Sequence, residues 1–329
     1  MRDRRVLLTG AAGFLGANLT RELLRRGADV HVLLRATTDP WRIAELRDRI
    51  SVHRADLTDA GAVRAAVAAA RPRLLFHLAM PSGHPQDRDA RAQMVEGCVR
   101  ASVHVLEAAL AHGVERLVQL ASFLEYGPSV APVPETAELR PATLRGAAKA
   151  AATLWSQGFA RATRLSSVVL RAFSVYGPWE PAGRLVPSAV KAALDGSPLP
   201  LTPFPSCRDF VYVDDVVNAC LLAADAHVPP GEAFNVGSGV LSSSADVVAA
   251  VEAACERRLR IEGEYPAVPA DSNACAASLE KVEAALGWRP RHSLRQGIEA
   301  TVAWFRERRG RPDLVQRRQL LAGEAHGQP

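Results

Sequence analysis

The chain has 329 residues, 48% hydrophobic and 23% charged, with a net charge of +5. This composition excludes a disordered or collagen-like polymer and allows one large domain or two joined ones with a substantial core. The positive excess is concentrated at the end, where six arginines from Arg306 onward face only Glu307, Asp313 and Glu324. Residues 306–329 therefore read as a flexible basic tail, and no nucleic-acid partner is expected.

Val6-Leu7-Leu8 forms the first predicted strand, followed by a glycine turn and a helix through Leu15, Leu19, Leu23 and Leu24 that stops at Gly27. Further strands are predicted at 29–34, 51–55, 74–79, 116–122 and 167–173, with helices near 60–70, 89–112 and 144–163. Strands alternating with helices form right-handed β-α-β units, so the fold class is α/β, a Rossmann-like doubly wound parallel sheet over residues 1–173. Beyond residue 174 prolines interrupt the chain (Pro178, Pro181, Pro187, Pro198, Pro200, Pro203, Pro205, Pro229, Pro230, Pro266, Pro269). Residues 174–305 read as a smaller C-terminal substrate lobe, possible returning sheet elements included, closing over the sheet's carboxyl edge. There is no charge-free apolar run of about 18 residues and no signal-peptide pattern, which predicts a cytoplasmic protein with no membrane partner. The five cysteines (98, 207, 220, 255, 275) form no CxxC pair, and nine scattered histidines show no HxxH spacing. Neither a disulfide framework nor a metal site is expected.

Thr9-Gly10-Ala11-Ala12-Gly13-Phe14-Leu15-Gly16 lies between the first strand and the first helix. Glycines there allow a tight turn, close approach of backbone to a pyrophosphate and close helix–strand packing, while the helix N-terminus offers N–H groups to phosphate. Gly10, Ala12, Gly13, Phe14 and Leu15 are the candidate dinucleotide contacts. The second strand ends in Leu34-Arg35-Ala36-Thr37 with no acidic residue to hold the 2′-hydroxyl of NAD. Arg35 suits a 2′-phosphate, so NADP(H) is favoured over NAD(H); a plain surface arginine is the alternative. Asp56, ending the third strand, suits either the adenine amino group or a helix N-cap.

On these residues the chain resembles the extended short-chain dehydrogenase/reductases, the NAD(P)-dependent sugar-nucleotide epimerase/dehydratase group. The likeness runs from about residue 5 to 305. It rests on TGAAGFLG (9–16), Asp56-Leu57, His77-Leu78-Ala79, Ala121-Ser122 through Tyr126-Gly127, and Gly146-Ala147-Ala148-Lys149. It continues through Leu170-Arg171 to Tyr176-Gly177-Pro178, Arg208-Asp209-Phe210, Phe234-Asn235-Val236-Gly237 and Leu286-Gly287-Trp288. The resemblance implies an NAD(P)-binding Rossmann domain with Asp56, Leu57, Leu78 and Ala79 beside the cofactor. It further implies a lobe for a nucleotide sugar, a Ser/Thr–Tyr–Lys constellation, and a homodimer through the helices near 89–112 and 144–163.

Ser122 and Lys149 occupy their places in that constellation, Lys149 being implied to hold the nicotinamide ribose as well. The tyrosine position, four residues before Lys149, is Arg145. A guanidinium stays charged at neutral pH and is a poor base, yet it can stabilise a developing oxyanion. Arg145 therefore suits carbonyl reduction better than alcohol oxidation, with Ser122 or a water near Lys149 supplying the proton, or Tyr126 or Tyr176 standing in. The family's helix asparagine aligns with Cys98, and its dehydratase acidic pair with Phe123-Leu124, which argues against elimination of water. Glu125 is either functional or a hydrogen-bonded glutamate, and His77 reads as a satisfied structural histidine.

In the substrate lobe, Arg208 matches the arginine implied to grip the substrate pyrophosphate, unless Asp209 pairs with it locally. Ser122 and Tyr176 complete the candidate substrate contacts. Asn235 and the Gly237-Ser238-Gly239 turn suit a substrate wall or an ordinary strand end, and Ser174 stands where an asparagine is common. Three readings follow: an NADPH-dependent ketoreductase on a nucleotide-linked 4-keto-6-deoxysugar, a nucleotide-sugar epimerase retaining NAD, and a catalytically silent NADP-binding sensor or scaffold.

Overall fold

The computed structural model describes residues 1–81, 87–129, 132–200, 207–262 and 274–308. Seven parallel strands form the main sheet: β1 (Arg5–Thr9), β2 (Asp29–Leu34), β3 (Ser51–Arg54), β4 (Leu74–His77), β5 (Arg116–Ser122), β6 (Ser167–Ala172) and β9 (Glu232–Val236). Their order is β3-β2-β1-β4-β5-β6-β9. The winding reverses between β1 and β4, so a crevice opens at their carboxyl ends. The sheet buries both faces, as its nearly unbroken apolar strands require. Val6 and Leu8 pack on one side with α1 (Phe14–Arg25) and α7 (Val213–Asp225). Leu7 points the other way, into the core under α2 (Ala60–Ala70) and α4 (Ala101–Ala111).

The predicted helix over 89–112 begins as α3 (Arg88–Val95) and reaches α4 through a π-helical turn at Glu96–Arg100. α5 (Leu144–Thr163) matches the predicted 144–163 helix and lies beside α4 and the π turn. The boundary at residue 174 is crossed by the fold. β9 extends the main sheet from the edge of β6, and α7 packs against it from the far side. What remains of the second half builds a three-stranded sheet, β7 (Ser174–Tyr176), β8 (Cys207–Tyr212) and β10 (Leu241–Ser243), in the order β10-β8-β7. Around it lie α6 (Leu185–Asp195), α8 (Ser244–Cys255), α9 (Glu280–Leu286) and α10 (Leu294–Arg308).

The first residues of the expected tail are not tail. Residues 306–308 are still helical, and the Arg308 guanidinium stacks on Trp179 and Trp304, 4.9 and 4.6 Å from the ring centroids. Residues 309–329, and with them the rest of the expected tail, lie outside the described residues, as do Pro203, Pro205, Pro266 and Pro269. All five cysteines are free thiols. Among the described residues no group of three or more His, Cys, Asp or Glu is placed to hold a metal ion, and no helix is long and apolar enough to cross a membrane.

Candidate functional site

The β1–α1 turn is built almost entirely from backbone. Gly10 has φ +74°, and a Cβ there would lie 2.7 Å from the Ala79 amide nitrogen and 2.8 Å from the Leu78 carbonyl carbon. Gly16 is equally restricted, because its Cβ would overlap the Gly10 carbonyl oxygen. The N-cap of α1 is Gly13, exposed and without a side chain to satisfy the first-turn amides. Those amides and the positive helix end suit a pyrophosphate, so the cradle fits a dinucleotide. Ala12, Leu15, Leu57 and Leu78 have buried side chains, which leaves only their backbones to face a ligand; Phe14 and Ala79 are half-buried. Leu57 is packed into the core under α2, and its carbonyl accepts from His104 Nδ1 at 2.8 Å.

At the other end of the cradle, Arg35 and Asp56 are both exposed. Asp56 is not a helix cap; Asp59 caps α2 by accepting from the Ala62 amide at 3.0 Å. Asp56 Oδ1 instead closes a local turn, accepting from Thr58 N at 2.9 Å and Thr58 Oγ1 at 2.7 Å. Those two bonds hold its pKa below the ordinary carboxylate value, with the nearby Arg35 charge helping.

His77, at the end of β4, is fully committed. Thr9 Oγ1 lies 2.8 Å from Nδ1 and Ser102 Oγ 3.1 Å from Nε2. Ser102 donates its own proton to the Cys98 carbonyl at 2.6 Å, so it must accept from Nε2–H, and Thr9 must donate to Nδ1. The imidazole is neutral, its pKa lowered to about 4 by burial and the charge of Lys149. This histidine also anchors the π turn, because the Cys98 carbonyl sits within it. π turns are rare and concentrate at functional sites.

Ser122 ends β5 and is 8% exposed. Its Oγ accepts from Leu124 N at 3.3 Å, while its amide donates to Glu125 Oε1 at 3.1 Å. Glu125 is completely buried. Its carboxylate pairs with Arg171 Nε at 3.0 Å and accepts from Thr153 Oγ1 of α5 at 3.0 Å. Glu125 thus ties β5, β6 and α5 together behind Ser122, and burial of both charges is offset by this dense bonding. The network continues through Tyr126. Its hydroxyl accepts from Arg171 Nη1 and donates to Asn235 Oδ1, both at 2.8 Å, and Asn235 Nδ2 donates to the Val133 carbonyl at 2.7 Å. Tyr126 is 4% exposed, and burial raises its pKa to about 12. It is therefore no stand-in proton donor, and Asn235 is a network member rather than a substrate wall.

α5 starts at its N-cap Thr143, whose Oγ1 accepts from the Gly146 amide at 2.9 Å. A Cβ at Gly146 would strike the Leu124 carbonyl oxygen, so this glycine lets the first turn of α5 press against the turn that follows Ser122. Arg145 and Lys149 are four residues apart and so share a helix face. Between and beyond them Ala148 and Ala152 pack on Met94 and Cys98. Arg145 is half-buried and Lys149 is 6% exposed. Burial, and then the charge of Arg145, lower the pKa of Lys149 to about 8, with Glu125 and Cys98 opposing. Cys98 is buried, its thiol pKa raised by burial against the pull of Lys149 and Arg145. Arg145, Lys149 and Cys98 therefore come together on this face, and the turn that follows Ser122 packs against the first turn of α5.

The fold does not bring Tyr176 to this place. Tyr176 is 1% exposed, its hydroxyl donates to the Leu294 carbonyl at 3.2 Å, and its ring packs against Phe210 and Tyr212. As a substrate contact it is corrected to a core residue, because the alternation of β7 turns it inward beneath α10. Gly297 shows how tightly it fits, since a Cβ there would collide with the Tyr176 hydroxyl. Arg208 lies half-buried on β8. Asp209 does not pair with it. Its carboxylate accepts instead from Ser238 N at 2.5 Å, Ser238 Oγ at 2.7 Å, Gly239 N at 2.9 Å and Ala277 N at 3.0 Å, which makes the Gly237-Ser238-Gly239 turn an ordinary strand end. The Glu125–Arg171 pair and the π turn were not read from the sequence. A glutamate set in an apolar frame, with an arginine inside an apolar strand, was the available signal for the first.

Comparison with known proteins gives a consistent picture. The model of the family described as NAD dependent epimerase/dehydratase matches residues 6–237. A UDP-glucose 4-epimerase of Mycolicibacterium smegmatis is 30% identical over 92% of this chain and 99% of its own length. A dTDP-glucose 4,6-dehydratase of Neisseria meningitidis is 25% identical over 92% of this chain and 93% of its own. Among solved structures, a UDP-glucose 4-epimerase of Thermus thermophilus in complex with NAD superposes with a TM-score of 0.81 at 30% identity, over 93% of this chain and 99% of that one.

Proposed function

The chain belongs to the NAD dependent epimerase/dehydratase family, an enzyme family of oxidoreductase type, and from that premise we propose that it is an NADPH-dependent ketoreductase acting on a nucleotide-linked 4-keto-6-deoxysugar. The observation that supports the reading is Arg145 one helical turn before the buried Lys149 on α5, whose first turn packs against the turn after Ser122, together with a β1–α1 turn shaped for a dinucleotide.

When bound, the reduced nicotinamide supplies a hydride. Everything else falls to this chain. Arg145 and Ser122 hold the carbonyl oxygen and stabilise the negative charge that develops on it. Arg145 cannot take up an alcohol proton at neutral pH, so the reverse oxidation lacks a base. Phe123 and Leu124 offer no carboxylate for elimination of water. Arg35 favours the 2′-phosphate of NADPH over the free hydroxyl of NADH. Arg208 grips the diphosphate of the substrate. Exposed Leu144, Leu154 and Trp155 on α5, with Val95 on α3 and Leu110 on α4, support a homodimer through these helices.

The test is loss of NADPH absorbance on adding a 4-keto-6-deoxy nucleotide sugar. The likeness to 4-epimerases favours a second reading, an epimerase retaining NAD. That reading predicts co-purified NAD and deuterium wash-in or sugar interconversion without net redox change. Tight NADP binding with no turnover across a substrate panel would leave a sensor or scaffold.

A further inference from the structure

We infer that Lys149 is the catalytic proton donor of this site. Its ammonium, one helical turn from Arg145 in the buried wall beside Ser122, gives the carbonyl oxygen the proton that a phenol would otherwise supply. The inference rests on the ketoreductase reading and names the residue that completes it.

The geometry reaches Lys149 by removing every other donor among the described residues at this wall. Tyr126 is closed off by Arg171 and Asn235, and Tyr176 by Leu294 and the packing of Gly297. Tyr212 is 4% exposed between the rings of Tyr176 and His292. Tyr265, the remaining tyrosine, lies outside the described residues. His77 is locked as a neutral imidazole with both nitrogens bonded. Glu125 is consumed by Arg171, Thr153 and the Ser122 amide. The Cys98 thiol is buried with its Sγ 3.8 Å from Met94 Sδ. Ser122 can relay a proton but cannot supply one on its own account at neutral pH. Lys149 carries three donors and no acceptor, and its neighbour Arg145 is a permanent cation.

Two like charges on one helix face disfavour each other, so Arg145 makes the ammonium a better acid. With its pKa near 8, Lys149 is largely protonated at neutral pH and still ready to release a proton. A C–H bond forms at the carbonyl carbon with the hydride from the reduced dinucleotide, and the π pair moves onto oxygen. One N–H bond of Lys149 breaks as the O–H bond forms. The carbonyl is reduced by the two electrons that a bound reduced dinucleotide would supply with its hydride, and the neutral amine regains its proton from water.

The chain contains only three lysines, Lys149, Lys191 and Lys281, so protein labelled with 13C at lysine Cε gives three resonances, with Lys149 assigned by Lys149→Met. In the unliganded protein the Lys149 resonance should titrate near pH 8, and Arg145→Met should move that midpoint upward by about one pH unit. The kcat profile for NADPH oxidation should fall on its alkaline side, and that limb should shift with the midpoint in Arg145→Met. Lys149→Arg keeps the charge and cannot release a proton; it should lower kcat about 100-fold or more. A midpoint that does not respond to Arg145→Met, an alkaline limb that does not follow it, or full kcat in Lys149→Arg overturns the inference. Absence of turnover in the unaltered protein would overturn the ketoreductase reading and this inference together, whereas turnover with an unlinked limb overturns the inference alone.

Discussion

The dinucleotide cradle and the face of α5 lie side by side at the carboxyl edge of one sheet, yet they are made of different material. The cradle is backbone: Gly10 and Gly16 hold a turn that a single Cβ would block, and the donors are amides of α1. The α5 face is side chain: Arg145, Lys149 and Cys98 meet there on a frame of small alanines. A backbone site tolerates few changes, because its shape is its chemistry. A side-chain site can exchange one functional group for another while the helix beneath stays the same. This is how the chain can keep the cradle of its family and carry a guanidinium on the helix that faces it.

The contrast can be broken most severely at Gly10. Gly10→Ala forces a side chain onto φ +74° and against Ala79, which should cost about 2–4 kcal/mol of stability. It should also lower dinucleotide affinity at least about 100-fold, read by thermal melting and by fluorescence titration with NADPH. A near-normal affinity would mean that this turn does not hold the dinucleotide.

Arg145→Tyr tests the other region. The helix and cradle should be untouched, with NADPH affinity within about threefold, while ketoreduction falls about 10- to 100-fold as the oxyanion contact is lost. A rise in activity would instead mark a decayed active site that the phenol repairs. Arg35→Ala sharpens the comparison within the cradle itself. If its guanidinium holds the 2′-phosphate, NADPH affinity should drop about 10- to 100-fold with NADH affinity unchanged, measured by calorimetry with both cofactors.

The smallest effect is expected away from both regions, at Glu180. Burial raises its carboxyl pKa to about 8, Oε2 has no hydrogen-bond partner, and Oε1 lies 3.6 Å from Arg184 Nε. The folded state therefore holds a proton that the unfolded chain releases near its ordinary value of about 4.3. Stability should fall as pH rises from about 4.3 through 8. Glu180→Gln should flatten that slope, matching the unaltered protein near pH 4.5 and exceeding it by about 1–3 kcal/mol at pH 8.5 in thermal or denaturant unfolding.

Much of this arrangement was legible in the chain. The alternation of strands and helices, the glycine turn and the α5 limits follow from short-range rules, and the main sheet agrees with them closely. The satisfied state of His77 was also readable, since a histidine ending a buried strand needs partners. The π turn at Glu96–Arg100 was not: Ser102 bonds the Cys98 carbonyl within it, and the partner that holds Ser102, His77, arrives from β4. Nor was the fate of the phenols. Tyr126 and Tyr176 lie in motifs that point to the site, yet one is drawn into a network with Arg171 and the other under α10. The partners of Asp209 were not legible either: local pairing with Arg208 was the alternative the sequence offered, and the fold gives Asp209 the Ala277 amide and the Ser238 turn instead.

By itself, then, the sequence determined the cradle, the winding of the first half, and the presence of a guanidinium one turn before Lys149. Each depends on conformational preferences or spacings within a few residues. Tertiary structure decided that β9 returns to the main sheet, that Glu125 is spent on Arg171, and which hydroxyls and charges face one another around Ser122. Those outcomes depend on partners up to 109 residues apart, as Tyr126 and Asn235 are. A buried polar group takes whichever partner the packed elements deliver, and only the assembled fold fixes which one that is.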